Sequence, residues 1–160
     1  MKQSSTIEIT SLYGHSQKIG EFSPMFNENI LCMSTKRVLI IDDEPDVRAV
    51  VQGCLEDVAG WEVVTAASGY EGLTKVMVDQ PDAIVLDIMM PGMDGFAFLR
   101  ELRSRPEGRS IPVVLLTAKV NLTDPQVLFE LSIKGIIAKP FDPFMLTEQI
   151  ADFLGWKMEQ

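Results

Sequence analysis

The chain has 160 residues, 46% hydrophobic and 23% charged, with a formal net charge of −9. That length and balance fit one soluble globular domain with a sizeable core. The acid excess argues against nucleic acid or an anionic membrane surface as the main partner, because both need a basic face.

No stretch is long enough to span a bilayer, and Lys2 is not followed by the apolar run of a signal peptide, so a cytoplasmic location is expected. Cys32 and Cys54 make no disulfide framework and are expected as reduced thiols. Residues 1–35 mix Ser, Thr, Asn, Gly and Gln with scattered apolar residues, which predicts a flexible leader. Ile7 and Ile9 alternate enough for a short strand at best, and His15 has no metal-ligand neighbours at useful spacing.

From Lys36 the pattern sharpens. Val38 to Ile41 is a continuous apolar strand ending in Asp42-Asp43. Glu44-Pro45 opens a helix with Pro at a favoured first position. Val47, Val50, Val51, Cys54, Leu55 and Val58 give it one apolar face, and Gly60 stops it. Trp61 to Ala66 reads as the second strand. Ser68 and Glu71 form a capping box that starts the second helix, with Leu73, Val76 and Met77 inward and Gln80-Pro81 at its end.

Ile84, Val85 and Leu86 lack polar alternation, as in a strand buried on both faces, and Asp87 ends that strand. Asp94-Gly95 starts a third helix carrying Phe98, Leu99 and Leu102. Ile111 to Leu116 is a fourth strand, ending in Thr117. Asp124-Pro125 starts a short fourth helix. Gly135 to Ala138 is a fifth strand, ending in Lys139-Pro140. Asp142-Pro143 caps the last helix, with Leu146, Ile150, Phe153 and Leu154 inward and Gly155 closing it. Residues 36–155 thus predict an α/β domain, a doubly wound five-stranded parallel sheet with helices on both faces, followed by a tail over 156–160.

The strand ends collect unlike chemistry on one edge: Asp42 and Asp43, then Asp87, Thr117 and Lys139. Open α/β sheets place ligand sites at that carboxyl edge. A single acid there is most often a helix cap, and a single Thr or Lys is most often solvated. The set is harder to explain so simply. Two carboxylates ~4 Å apart repel by about 4 kcal/mol at an effective dielectric of 20. Lys139 offsets one charge, and a divalent cation would offset more. Hard oxygen ligands that leave room for water and phosphate favour Mg²⁺. Together these groups equip the edge for phosphoryl transfer to a carboxylate.

These residues make the chain similar to the receiver domain of two-component response regulators. The resemblance rests on Asp42-Asp43, on Asp87 followed by Ile-Met-Met-Pro-Gly-Met-Asp-Gly, on Thr117-Ala118 and on Lys139-Pro140-Phe141. It implies a flavodoxin-like sheet in the order 2-1-3-4-5 and a cis Lys139-Pro140 peptide. By the same resemblance Asp87 is the phosphoacceptor, and Asp43, Asp87 and the backbone carbonyl of Met89 ligate Mg²⁺ directly. Asp42 would act through water, Lys139 would pair with the phosphoryl group and Thr117 would donate to it. The donor would be a histidine kinase or a histidine phosphotransfer protein. A downstream protein would meet the face of helix four, strand five and helix five, where Phe129, Ile136 and Phe144 are candidates, although core packing explains each equally well.

Two departures stand out. Ile136 occupies a position that is commonly Tyr or Phe in the family, which removes the usual aromatic switch. No output domain and no helix-turn-helix follow Leu154, so a stand-alone receiver, not an enzyme, is expected, with no direct nucleic-acid contact. The alternative is a receiver-fold binding module that signals without phosphate. A phosphatase with an aspartyl nucleophile would need an acid where Met89 stands, and the three-glycine dinucleotide fingerprint is missing. Arg100, Arg103, Arg105 and Arg109 read as charge favourable to a helix C-terminus.

Overall fold

The computed structural model describes residues 9–10, 16–17, 35–122 and 124–158. The chain divides into two units, residues 1–34 and 35–160. In the first, Ile9–Thr10 pairs antiparallel with Ser16–Gln17, in keeping with the weak alternation there. The expected mobility of the leader, and the readings of His15 and Cys32, lie outside the described residues.

The second unit alternates strand and helix throughout: β1 (Arg37–Ile41), α1 (Pro45–Ala59), β2 (Glu62–Ala66), α2 (Gly69–Asp79), β3 (Ala83–Leu86), α3 (Gly95–Ser104), β4 (Val113–Thr117), α4 (Pro125–Glu130), β5 (Ile133–Ala138) and α5 (Pro143–Leu154). The five strands are parallel and ordered β2-β1-β3-β4-β5, which is the expected 2-1-3-4-5 sheet. No helix among the described residues is long and apolar enough to cross a membrane.

Alternate strand residues face opposite sides, so the apolar strands feed two cores. Leu39, Ile41, Ile84, Leu86 and Leu115 pack with Leu73 and Val76 of α2 and Phe98, Leu99 and Leu102 of α3. Val38, Ile40, Val85, Val114 and Leu116 pack with Val51 and Leu55 of α1 and Leu146 and Ile150 of α5. Trp156 and Met158, beyond α5, join this second core, and Trp156 meets Trp61 edge to face at 5.0 Å.

The helix ends follow local chemistry. Ser68 Oγ accepts from the Glu71 N–H, Asp94 Oδ1 from Ala97 and Asp142 Oδ1 from Phe144. Gly60 ends α1 at φ +65°, where a side chain would be strained.

Several expectations need correction. Val50, Val58, Met77 and Phe153 are exposed rather than inward, because the apolar stripes of α1, α2 and α5 are wider than the strip of sheet each helix covers. The Phe153 ring lies over Gly135 of β5. β4 begins at Val113 and not at Ile111, after Pro112, which has no N–H for the ladder. β5 begins at Ile133, earlier than Gly135, directly after the left-handed turn at Ser132.

Arg103 does more than face a helix end. Its guanidinium donates to the carbonyls of Gly108, Ile111 and Leu131 at 2.8, 2.7 and 2.9 Å, tying α3 to the loop before β4 and to the turn before β5.

Candidate functional site

Sheet register brings the polar strand ends together. Ile41 of β1 pairs with Leu86 of β3, so Asp42 and Asp87 emerge side by side. Thr117 of β4 pairs with Ala138 of β5, so Lys139 emerges one step beyond Thr117.

The same local device fixes three of these side chains. Asp42 Oδ1 accepts from the Glu44 N–H at 2.9 Å, Asp87 Oδ1 from Met89 at 3.0 Å and Thr117 Oγ1 from Lys119 at 3.3 Å. In each case the strand-ending side chain bonds the backbone two residues on, as Asp and Thr do in tight turns. The other oxygen of each acid is left to face the neighbouring strand end.

Lys139 fills that position. Its Nζ lies 2.6 Å from Asp42 Oδ2 and 3.1 Å from Asp87 Oδ2, with both carboxylates 3% exposed. Glu44, 60% exposed, reaches the same ammonium at 3.3 Å. The Lys139-Pro140 peptide is cis, as the resemblance implies. Burial pushes the Asp42 carboxyl above its ordinary range, more than Lys139 and the Glu44 N–H pull it down. Burial works to lower the Lys139 amine, but its bonds to Asp42 and Asp87 outweigh that and hold it above the usual range. Lys139 therefore stays charged.

Ligand oxygens of Asp42, Asp43 and Asp87 all lie within 4.8 Å of one another. The donor set fits a hard divalent ion: of three clustered carboxylates, two are buried and share Lys139, and Asp43 adds negative charge that this one lysine leaves unbalanced. All of the predicted acids and Lys139 are thus brought together. Thr117 is fully buried on the same rim, and Met89 presents its N–H to Asp87 while its side chain is exposed. Sequence reasoning missed two contributors. Glu44 was read only as a helix opener, although it directly follows the acid pair. Arg48 donates to the Asp42 carbonyl at 2.6 Å, from one turn into α1.

A parallel sheet whose carboxyl rim carries clustered acids beside a largely buried lysine side chain defines a class of α/β domains, and comparison with known proteins agrees. The chain belongs to the response regulator receiver domain family, whose model matches residues 38–151. It is 37% identical over 122 residues to the "Probable transcriptional regulator ycf27" of Cyanophora paradoxa, covering 76% of this chain and 49% of that protein. The chemotaxis protein CheY4 of Vibrio cholerae superposes with a TM-score of 0.67 at 33% identity, covering 75% of this chain and 99% of that one. The receiver domain of the sensor histidine kinase PA1611 of Pseudomonas aeruginosa, solved with magnesium in its active-site cleft, gives 0.66 at 26% identity, with 76% and 99% covered. The chain spans about half the length of the curated relatives it matches.

Proposed function

We propose that this receiver accepts a phosphoryl group on Asp87 from a phosphohistidine and relays the signal through protein contacts. The observation that carries this reading is Lys139 held between Asp42 and Asp87, with Asp43 within the same 4.8 Å cluster.

An Asp87 carboxylate oxygen attacks phosphorus. The P–N bond breaks, the imidazole nitrogen leaves with the electron pair, and an acyl phosphate forms. Mg²⁺ would be held by Asp43, Asp87 and the Met89 carbonyl, with Asp42 through water, and would supply positive charge for the phosphoryl oxygens. Lys139 is placed to pair with one of those oxygens after its contact to Asp87 is given up. The Thr117 hydroxyl, with its oxygen already accepting from Lys119, keeps its proton for another. Met89 offers no acid or base two residues after Asp87, which favours a phosphoacceptor over a turnover phosphatase.

The donor on this reading is a histidine kinase or histidine phosphotransfer protein in the cytoplasm. The downstream partner is a protein, met on the α4–β5–α5 face, where Phe129 is 85% exposed. Incubation of the full chain with acetyl phosphate and Mg²⁺ tests the reading. Acid-stable, hydroxylamine-labile phosphate is expected on wild type and not on Asp87→Asn; a folded wild type that gains none contradicts it.

Ile136 favours a second reading, a module that signals without phosphate. It is half-buried against the α2/α3 core and offers no aromatic ring to rotate. Equal partner affinity with and without beryllofluoride would select that reading.

A further inference from the structure

α1 and α5 leave an open groove of about 720 Å³, which runs from Phe144 at the start of α5 past its end to Met158, with Val58 at the end of α1. Val58, Phe144, Trp156 and Met158 give it an apolar lining. Phe144 is 92% exposed and Val58 57% exposed, so two large side chains stand uncovered on one surface. Of the two sequence readings of Phe144, its exposure sets aside core packing; the side chain lines this groove together with Val58.

The charges at the groove are as uncovered as the apolar groups. Glu148 and Asp152 follow Phe144 at four-residue steps along one side of α5. Neither has a cation in salt-bridge range among the described residues. Lys157, at the end of the same groove, has no anion in salt-bridge range among the described residues.

The geometry points to a docking site for a basic amphipathic helix of a partner protein, with an apolar side chain on Phe144 and Val58 and Lys or Arg residues one turn apart over Glu148 and Asp152. Charge complementarity selects this occupant. Acids four residues apart stand about one helical pitch from each other, the spacing at which a second helix repeats its own cations. A second copy of this chain fits less well, because a two-fold contact would bring four groove acids together with only two groove lysines, Lys157 from each copy. None of the lining residues belongs to the acid cluster or is Lys139, so binding here does not depend on phosphorylation of Asp87.

Trp61 and Trp156 are the chain's two tryptophans, and both report on the groove: Trp156 lines it and Trp61 touches Trp156. The test titrates the full chain with a synthetic amidated Leu/Lys amphipathic helix and with its Leu/Glu counterpart, following tryptophan fluorescence. A saturable change with the Leu/Lys helix alone is expected. Glu148→Lys with Asp152→Lys should weaken it at least about tenfold, as loss and reversal of facing charges do, and Phe144→Ser should weaken it as well. Both variants alter exposed positions and should fold. Asp87→Asn should bind as wild type. Undiminished binding by the charge-reversed variant, or loss of binding in Asp87→Asn, overturns the proposal. Self-association of the chain alone that disappears in Phe144→Ser overturns it in favour of a second copy.

Discussion

Gly95 stands so close to Asp87 that no methyl group fits between them: a Cβ at position 95 would lie 2.7 Å from the Asp87 carbonyl oxygen. The same Cβ would lie 2.7 Å from the Ile88 Cα, so α3 begins against the backbone that aims Asp87. Both obstacles are backbone, which cannot swing aside as a flexible side chain would. Gly95→Ala should cost about 1–3 kcal/mol, the range for forced overpacking, and should slow phosphorylation by acetyl phosphate. Gly53, inside α1, is the control, because a Cβ there meets nothing within 4 Å. Gly53→Ala should add about 0.5–1 kcal/mol through lower unfolded-state entropy. Urea midpoints of both variants measure the contrast.

Asp87 adds charge to a site already crowded with it. Lys139 is shared by Asp42, Asp87 and Glu44, and Asp43 lies in the same cluster. Asp87→Asn keeps the shape, removes one negative charge and leaves Lys139 paired. In EDTA its melting temperature should exceed that of wild type by roughly 2–8 °C, the shift expected for ~1–2 kcal/mol. Mg²⁺ should then raise wild type more than the variant. An Asp87→Asn melting temperature in EDTA at or below wild type would count against crowding.

Asp42 gives stability a defined pH dependence. Burial raises its carboxyl above the ordinary 3.8, so the folded chain holds this proton more tightly than the unfolded one. The resulting stabilisation is fully present below 3.8 and is lost as pH rises through the folded value. In EDTA, the stability of wild type minus that of Asp42→Asn should fall as pH rises through this window and then level off. Chemical denaturation across acid pH measures it, and a difference that grows with pH contradicts burial as the dominant cause.

Arg103 depends on its planar fork more than on its charge. It reaches three carbonyls on two segments, and burial lowers its pKa. Arg103→Lys should therefore lose about 2–3 kcal/mol, much like Arg103→Ala, because an ammonium cannot span those acceptors. Equal unfolding midpoints for Arg103→Lys and wild type would show that charge alone suffices.

The sequence was most legible where one residue's own neighbours decide its state. The apolar run from Val38 to Ile41 and the run from Ile84 to Leu86 are buried on both faces, and the polar residue ending each strand falls on the rim. Asp42, Asp43, Asp87 and Lys139 were readable for that reason. Glu44 and Gly95 were not, since their meaning depends on side chains or backbone placed by other strands. Lys139 meets Glu44 across 95 positions of sequence. The outward turn of Met77 and Phe153 was hidden for a related cause. Periodicity gives the width of an apolar stripe, and only the assembled sheet shows how much of it is covered. Arg103 looked like charge at a helix end because its carbonyl partners lie in loops without a sequence period.

A crystal structure grown with Mg²⁺ and beryllofluoride tests the central claim most directly. The account expects one ion coordinated by Asp43 and Asp87, beryllofluoride on an Asp87 oxygen, and fluorines facing Lys139 and Thr117. Electron density with the rim empty, or with the ion bound elsewhere and Asp87 unmodified, would contradict it.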